Sequence, residues 1–321
     1  MAEYFIRRLG QSLIVLFVIT IIVFLMMQAS GDPVQNLLPP DAEQWAVEEL
    51  KAEMGLDKPL HIQYIMFLKQ ALRGDLGVSY YQKQPALELV LAKFPATLEL
   101  ALAAIIVSVV VAIPAGIYAA IKPNSIISRG IMLFSLTGIS LPTFLIGILL
   151  IMFFSIGLSW LPSSGRGDII NFLGWNTSLF TFNGWKHILL PAATLGFYMV
   201  AMLIRLVRAG MLEVLQQDYI SFARAKGMPV RVVLFRHALR NTLIPVITVI
   251  GLQLGRLIAF SMITEKIFAW PGMGRLILDS IHRLDRPVIM AYLLIIATLF
   301  ALINLGVDVF YYFIDPRIEL E

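Results

Sequence analysis

Six long apolar runs constrain this sequence more than any other feature. The first, Leu9–Ala29, spans 21 residues without a charged side chain, and about 20 predominantly apolar residues suffice for a helix to cross a bilayer. The chain is therefore predicted to be an all-α polytopic membrane protein with about six transmembrane helices. The other five runs lie at Ala96–Ile121, Gly130–Leu158, 187–211, Val246–Thr264 and Val288–Phe313.

The composition excludes several classes of protein. Of the 321 residues, 59% are apolar and 14% are charged, whereas soluble domains carry about 25% charged residues. The chain has no cysteine, so disulfides and thiolate metal sites are excluded. The net charge of +4 is small, and no nucleic-acid partner is expected.

Residues 30–95 form a long polar segment between the first two runs. We predict a turn at Gly31-Asp32-Pro33 and two amphipathic helices within it. The predicted helices and their ends are 43–54 stopped by Gly55, and 59–73 capped by Asp57 and stopped by Gly74. Elsewhere, Pro114 and Pro142 inside apolar runs predict kinks. Trp160, Trp175 and Trp185 in a second polar loop are predicted interfacial anchors.

The distribution of basic residues predicts the orientation. With the N-terminus inside, the inner segments carry 12 Lys and Arg against 6 Asp and Glu. The outer loops carry 12 against 13, over nearly twice the length. Because basic residues concentrate on the cytoplasmic side, both termini and the loop at 212–245 are expected to be cytoplasmic.

The stretch from Asp218 to Pro245 is the most basic part of the chain. It is predicted to form two short helices separated by breaks, with Asp218 as the first cap and Gly227 as the first stop. Pro229 suits the start of the second helix, and Pro245 marks the second break. On the first helix Tyr219, Phe222 and Ala223 are expected to share a face. The small residues Ala223, Ala225 and Gly227 would let another surface approach closely.

This stretch resembles the coupling loop of ABC-transporter permeases, in which Glu-Ala-Ala, three residues and Gly precede a later Leu-Pro. Ser221, Phe222, Ala223 and Gly227 occupy these positions here, and Ile244-Pro245 closes the loop farther from the glycine than in the general pattern. Both departures are typical of the dipeptide, oligopeptide and nickel branch of this family, and the chain resembles its oligopeptide permease B type. That branch has the strings Asp-Tyr-Ile, Ala-Arg-Ala-Lys-Gly and His-Ala-Leu-Arg-Asn. Here they stand at Asp218-Tyr219-Ile220, 223–227 and 237–241.

Other fragments extend the resemblance over nearly the whole chain. They are Gly31-Asp32-Pro33, 54–60, Gly74-Asp75-Leu76-Gly77, Pro95-Ala96-Thr97-Leu98, Trp270-Pro271-Gly272-Met273-Gly274, Val307-Asp308-Val309 and Asp315-Pro316.

The resemblance implies a type I ABC importer permease fold with a long first external loop. The implied division is an N-terminal end and first helix (1–29), an external helical loop (30–95), a five-helix core (96–313) containing the coupling loop (212–245), and a cytoplasmic tail (314–321). The implied partners are ABC ATPase subunits, a second and related permease subunit, an extracytoplasmic solute-binding protein and the lipid bilayer. The chain would lie in a bacterial or archaeal inner membrane, and ATP would bind only the partner subunits.

The residues implied to couple to the ATPase are Asp218, Tyr219, Phe222, Ala223, Ala225 and Gly227. No catalytic, cofactor-binding or metal-binding residue is predicted. The chain contains no phosphate-binding Gly-x-x-x-x-Gly-Lys-Ser/Thr loop, and no pair of its four histidines has metal-ligand spacing. The solute is left open among dipeptides, longer peptides, opines, glutathione and nickel chelates. The rival class is an ion-coupled secondary transporter, which would typically show internal repeats.

Three ionisable residues fall within the predicted spans. Glu99 is near an outer end, where it would reach the interface, and Asp308 is near an inner end. Arg256 is ten residues into the fifth span, which places it about 15 Å deep, near the midplane. It is either a pathway residue that attracts a carboxylate or a structural residue paired with a neighbouring helix. Gly251 and Gly255 in the same span form a close-packing motif.

Overall fold

The computed structural model describes residues 2–29, 34, 43–53, 55–172 and 174–314, and within these it is mostly helical. The helices are α1 (Ala2–Ala29), α2 (Gln44–Glu53), α3 (Leu60–Leu72), α4 (Ala86–Ile121), α5 (Ile126–Ser140), α6 (Thr143–Leu150), α7 (Phe182–Leu215), α8 (Asp218–Ala225), α9 (Val230–Val232), α10 (Leu239–Phe260), α11 (Met262–Ile267), α12 (Met273–His282) and α13 (Arg286–Ile314). Two π-helical turns, Ile151–Gly157 and Val233–Ala238, follow α6 and α9. Strands β1 (Ile170–Phe172) and β2 (Trp175–Thr177) form an antiparallel hairpin. The predicted turn at Gly31-Asp32-Pro33, Met54 and the tail from Asp315 lie outside the described residues.

Five helical segments are long and apolar enough to cross a membrane. They are Ile6–Ala29, Ala86–Ile121, Phe182–Leu215, Val230–Phe260 and Arg286–Val309. The sixth is a pair, Ile126–Gly138 and Thr143–Gly157, bent by 120°. The prediction of about six spans is confirmed if the bent pair counts as one span.

The predicted third span, Gly130–Leu158, is wrong as a single kinked helix. Leu141 is extended, with φ −90° and ψ 133°, and Pro142 begins the next helix as its N-cap. A residue that precedes proline is disfavoured in the helical region, so the chain breaks fully at this point. Pro114, by contrast, lies inside the unbroken helix α4.

Glycines end the short helices where the sequence predicts it. Gly55 and Gly74 adopt φ values of +67° and +78° after α2 and α3, a conformation that costs glycine little. The predicted cap at Asp57 is wrong, because Pro59 occupies the N-cap of α3 and no side chain caps the helix. Proline at this position sets the backbone without a capping side chain.

The described residues divide into two compact units, one comprising 2–94 and 275–305 and the other 95–274 and 306–314. This division cuts across the predicted core at 96–313, so the predicted domain boundaries remain a prediction. In the first unit, α3 packs on α1 through the rings of Phe24, Tyr64 and Phe67.

Helix α7 is the centre of the second unit, and small residues bring α4 and α5 close to it. A Cβ on Gly138 would lie 2.6 Å from the Cβ of Ala201, and one on Gly116 would lie 2.8 Å from Val207. Helix packing in membranes depends on such small residues, because lipid removes the hydrophobic drive for helices to associate. The second unit is thus a close-packed bundle from which the α7–α10 connection extends.

Candidate functional site

Helix α8 is a short amphipathic helix with one face on its own chain and one face exposed. Ile220 and Ala223 are buried, with 0% and 7% of their surface exposed, whereas Tyr219 and Phe222 are 42% and 62% exposed. The Tyr219 hydroxyl accepts a hydrogen bond of 2.7 Å from Nδ2 of Asn241. The apolar inner face and this hydrogen bond fix α8, and its aromatic face stays open.

Two sequence predictions for α8 need correction. Ala223 lies on the buried side, behind Tyr219 and Phe222, because it packs with Ile220 rather than sharing the exposed face. Asp218 is not the cap: Gln217 is the N-cap and makes no side-chain capping hydrogen bond. Asp218 instead lies in the first turn, where a carboxylate is favoured by the helix dipole.

The connection from α8 to the next span is a single sharp turn. Gly227 ends α8 with φ +73°, as predicted. Pro229 is the N-cap of α9, one residue before the helix itself. The predicted break at Pro245 is wrong, because Val230–Phe260 is one continuous helical segment and Pro245 lies inside it. A membrane helix tolerates such a proline where neighbouring groups satisfy the freed backbone.

The exposed surface around α8 is basic and aromatic. Arg224, Lys226, Arg231 and Arg236 are exposed, and Nζ of Lys226 lies 4.5 Å from the ring centre of Phe222. Ala225 is also exposed. We call Tyr219, Phe222, Ala225 and Lys226 the α8 surface. Its combination of apolar rings and positive charge suits a protein partner with an apolar groove and acidic rim.

Glu99 is buried within the second unit, and its predicted position near the membrane interface stays a prediction. It is 4% exposed, forms an ion pair with Arg166, and accepts a hydrogen bond of 2.9 Å from the backbone N–H of Ser178. Arg166 also donates to the Asn176 carbonyl at 2.6 Å. This pairing ties α4 to the loop that carries the β-hairpin, and it compensates the cost of a buried charge.

A second buried carboxylate, Glu265, was not singled out by sequence reasoning. It is fully buried and accepts hydrogen bonds from Thr97 Oγ1 at 2.7 Å and Ser261 Oγ at 2.9 Å. The indole N–H of Trp270 donates to the Ala96 carbonyl at 2.8 Å. The fragments at 95–98 and 270–274 therefore meet here, and a Cβ on Gly272 would collide with the Glu265 carboxylate. Gly272 was the residue in the sequence that could have indicated this close contact.

Arg256 is exposed, on the same helical stripe as Leu252 and Phe260. It lies four residues before the end of α10, about 6 Å from it. Because the helical segment runs from Val230 to Phe260, Arg256 lies near its C-terminal end, and the depth of Arg256 in the membrane stays a prediction. Within the described part of the chain, no ion pair of Arg256 is seen, and both interpretations of Arg256 stay predictions.

Gly251, also on α10, packs closely against the last helix. A Cβ there would lie 2.9 Å from a methyl of Val307, and Gly255 is buried. This geometry fits the predicted packing role of the two glycines. No group of three or more His, Asp and Glu side chains that could hold a metal ion occurs in the described ranges.

The structure is thus a multi-pass helical bundle with a short amphipathic helix between two spans, and basic side chains surround that helix. Comparison with known proteins agrees. Residues 112–320 match the family described as "Binding-protein-dependent transport system inner membrane component", and residues 1–101 match the N-terminal part of such membrane components.

Several curated relatives align with the whole chain. The di/tripeptide transport system permease protein DppB of Pseudomonas aeruginosa is 40% identical over 99% of both chains. The oligopeptide transport system permease protein AppB of Bacillus subtilis is 41% identical over 99% of this chain and 100% of its own. The glutathione transport system permease protein GsiC of Escherichia coli is 38% identical over all of both chains.

The fold also has a solved counterpart. The inward-facing MetNI methionine ABC transporter matches 71% of this chain and 96% of its own chain, with a TM-score of 0.55 and 17% identity. This similarity confirms the predicted type I permease fold. The chain belongs to the family of binding-protein-dependent transport system inner membrane components, and it is a permease subunit of an ABC importer.

Proposed function

We propose that this chain forms half of the translocation pathway of an importer for peptides or similar small solutes, with ATP bound and hydrolysed on separate ATPase subunits. The observation that carries the proposal is the α8 surface, which is exposed although it is rich in aromatic area. The names of the full-length relatives, which include di/tripeptide, oligopeptide and glutathione permeases, support the solute class.

The α8 surface is proposed as the docking site of the ATPase. Asp218, Tyr219, Phe222, Ala225 and Gly227 serve this role directly or by shaping the turn. Ala223 serves it by letting α8 sit close to its own chain. Because a single turn joins α8 to the continuous helix Val230–Phe260, closure of the ATPase pair would move α10 directly. Such motion can switch the pathway between two packings.

A matched pair of phenylalanines tests the docking. Phe222 and Phe182 are 62% and 79% exposed, and each ring lies below a lysine four residues later, at 4.5 Å and 4.8 Å. We expect Phe222→Asp to abolish co-purification of the ATPase from detergent-solubilised membranes, because it places a charge in an apolar contact. Phe182→Asp, in the proposed outer region, should leave co-purification unchanged.

Retention of the ATPase by a folded Phe222→Asp chain would contradict the docking proposal. These substitutions are preferable to Gly227→Glu. Gly227 has φ +73°, so any side chain there strains the turn itself and confounds loss of docking with misfolding.

Arg256 is proposed to face the aqueous pathway near its outer mouth, where it would attract the carboxylate of an incoming peptide. An exposed guanidinium in a membrane helix is costly against lipid, and such residues by default face a cavity or a partner. A guanidinium can hold a carboxylate through two parallel hydrogen bonds. This position therefore suits a solute with a free C-terminus.

The absence of native cysteine makes Arg256 directly testable. In the assembled transporter, Arg256→Cys should react with a membrane-impermeant methanethiosulfonate reagent, whereas Leu257→Cys, at a position 7% exposed, should not. Leu252→Cys keeps the guanidinium of Arg256, so bound trialanine should slow the reaction of that cysteine with the reagent. Arg256→Cys lacks the guanidinium, so trialanine should slow its reaction less. Failure of Arg256→Cys to react in lipid would contradict a water-facing position.

The remaining parts of the proposal concern assembly and placement. The second half of the pathway would come from a second, related permease chain, and an extracytoplasmic binding protein would deliver the solute. Both termini would be cytoplasmic, in the inner membrane of a bacterium or archaeon. The basic residues around α8 support this orientation, because positive charge concentrates on the cytoplasmic side.

A further inference from the structure

Helix α3 contacts α1 near the end of that membrane span. The hydroxyls of Thr20 and Tyr64 are 2.9 Å apart, and the rings of Phe17 and Tyr64 are 6.3 Å apart between centres. Thr20 lies nine residues before Ala29, about 14 Å along the helix axis. The neighbouring Gln63 hydrogen-bonds to Gln28, one residue before the end of α1, so α3 lies beside the end of the predicted span and its Tyr64 side chain extends toward the middle of that span.

The surface of α3 fits a position in the membrane interface. None of its residues is buried by the protein, and its large apolar side chains Leu60, Ile65 and Leu72 are 57%, 60% and 82% exposed. Exposed apolar side chains on an amphipathic helix are typical of helices that lie in the membrane interface. Lys69 is also exposed, and a lysine can extend its charge toward the headgroups while its stem stays in the apolar layer.

A half-enclosed cleft lies between α1, α3 and the start of α13, all in the first unit. Its volume is about 250 Å³, and the apolar side chains that line it include Phe24, Met27, Met66, Phe67, Pro287 and Met290. We call it the α1–α3 cleft. Methionine adapts its shape to flexible apolar ligands, and exposed Ile22 and Leu25 continue the apolar surface of α1 beside the cleft.

Several polar groups at the cleft are already paired within the protein, and the Asp75 carboxylate in its lining accepts a hydrogen bond of 3.0 Å from the backbone N–H of Gly77. The Gln63 amide accepts a hydrogen bond of 2.6 Å from Gln28 and donates to the carbonyls of Leu56 and Lys58 at 3.1 Å and 2.7 Å. Burial raises the pKa of the Tyr80 phenol, so this lining group stays neutral. The lining is mainly apolar, so it suits a hydrocarbon chain, which needs no hydrogen-bond partner, better than a polar solute.

We propose that the α1–α3 cleft binds one acyl chain of a membrane phospholipid. The chain would enter from the lipid along α1. Nζ of Lys58 lies 3.9 Å from Sδ of Met66, so a positive charge stands beside the lining, where it can meet the lipid phosphate. The site does not depend on ATPase docking or on the pathway role of Arg256.

Photo-crosslinking tests the site directly in the assembled transporter. The complex is placed in nanodiscs of phosphatidylethanolamine and phosphatidylglycerol containing a phosphatidylethanolamine with a diazirine on one acyl chain. After irradiation, labelled residues are mapped by mass spectrometry. We expect labels on both Met66 and Met290, which lie on different helices and line the cleft together. Labelling confined to outward residues such as Ile22 and Leu25 would overturn the proposal.

A matched pair of variants sharpens the result. Met27→Trp fills the cleft, whereas Leu25→Trp adds the same bulk at a position that is 54% exposed and outside the lining. We expect Met27→Trp to reduce labelling of Met66 and Met290 at least tenfold and Leu25→Trp to leave it unchanged. Equal labelling in both variants, or displacement of the label from wild type by excess trialanine, would overturn a lipid site. If Met27→Trp does not assemble, the wild-type map and the trialanine competition still decide.

Discussion

Glu99 shows how a single residue carries a buried charge in this chain. Glu99 and Arg166 have side chains only 4% and 8% exposed, and removing one partner of a buried pair typically costs about 3–5 kcal/mol. We therefore expect Arg166→Met to lower the thermal stability of the purified chain strongly, since it leaves a carboxylate without its cation. The measurement is the apparent melting temperature in detergent.

The double variant separates pairing from packing. Adding Glu99→Gln to Arg166→Met removes the second charge while keeping an acceptor for Ser178, so part of the lost stability should return. Lys186→Met is the control, because Lys186 is exposed and its contact with the Phe182 ring should contribute only about 0.5–1 kcal/mol. Additive losses from the two substitutions at Glu99 and Arg166 would show that the pair is not coupled.

At the scale of elements, the orientation of α8 depends on one side-chain hydrogen bond to the next helical segment. Tyr219→Phe removes the bond to Asn241, worth about 0.5–1.5 kcal/mol, but keeps the aromatic ring on the α8 surface. We expect the ATPase still to co-purify, while solute uptake per ATP hydrolysed falls several-fold because α8 moves less firmly with α10. Reconstituted uptake and ATPase assays measure this ratio.

Tyr198→Phe is the matched control, since Tyr198 is 44% exposed, similar to Tyr219, and lies in the interior of α7. Its uptake-to-hydrolysis ratio should equal that of wild type. Loss of ATPase binding in Tyr219→Phe, rather than loss of coupling, would contradict a positioning role for the hydroxyl.

Local sequence patterns predicted most helices and their ends, but they could not predict contacts between residues that are distant in sequence. The long apolar runs gave the spans, and Gly55, Gly74 and Gly227 gave helix ends, because both signals act over a few residues. The side of α8 on which Ala223 lies depends on what the rest of the chain packs against it. Glu265 and Thr97 meet across 168 positions of sequence, so no local pattern could place that carboxylate in a buried network.

The full break at Pro142 is an intermediate case. The proline was visible in the sequence and predicted a disturbance, but membrane helices either continue through prolines, as α4 does at Pro114, or stop at them. Which outcome occurs depends on neighbouring groups that satisfy the backbone. For the same reason, the start of α10 at Leu239 could not be read from the apolar run alone, since the basic residues before it are also helical.

At the scale of the whole molecule, every proposed partner requires a defined side of the membrane. An ATPase at α8 needs a cytoplasmic α8, and a binding protein needs outer loops on the opposite face. The bent pair of α5 and α6 lies between the first residues of α5 and of α7, and both helices begin after a hydroxyl N-cap. Ile126 begins α5 after the cap Ser125, and Phe182 begins α7 after the cap Thr181. They are 85% and 79% exposed.

These two positions decide the orientation in a chain that contains no native cysteine. In intact cells treated with a membrane-impermeant maleimide, Phe182→Cys should be labelled, and Ile126→Cys should be labelled only after permeabilisation. Each substitution leaves the neighbouring cap hydroxyl in place, so a difference in labelling reports sidedness rather than folding. The reverse pattern would place α8 outside the cell and remove the physical basis for ATPase docking there. Labelling of both positions in intact cells would mean that the bent pair returns to the same side and does not count as a span.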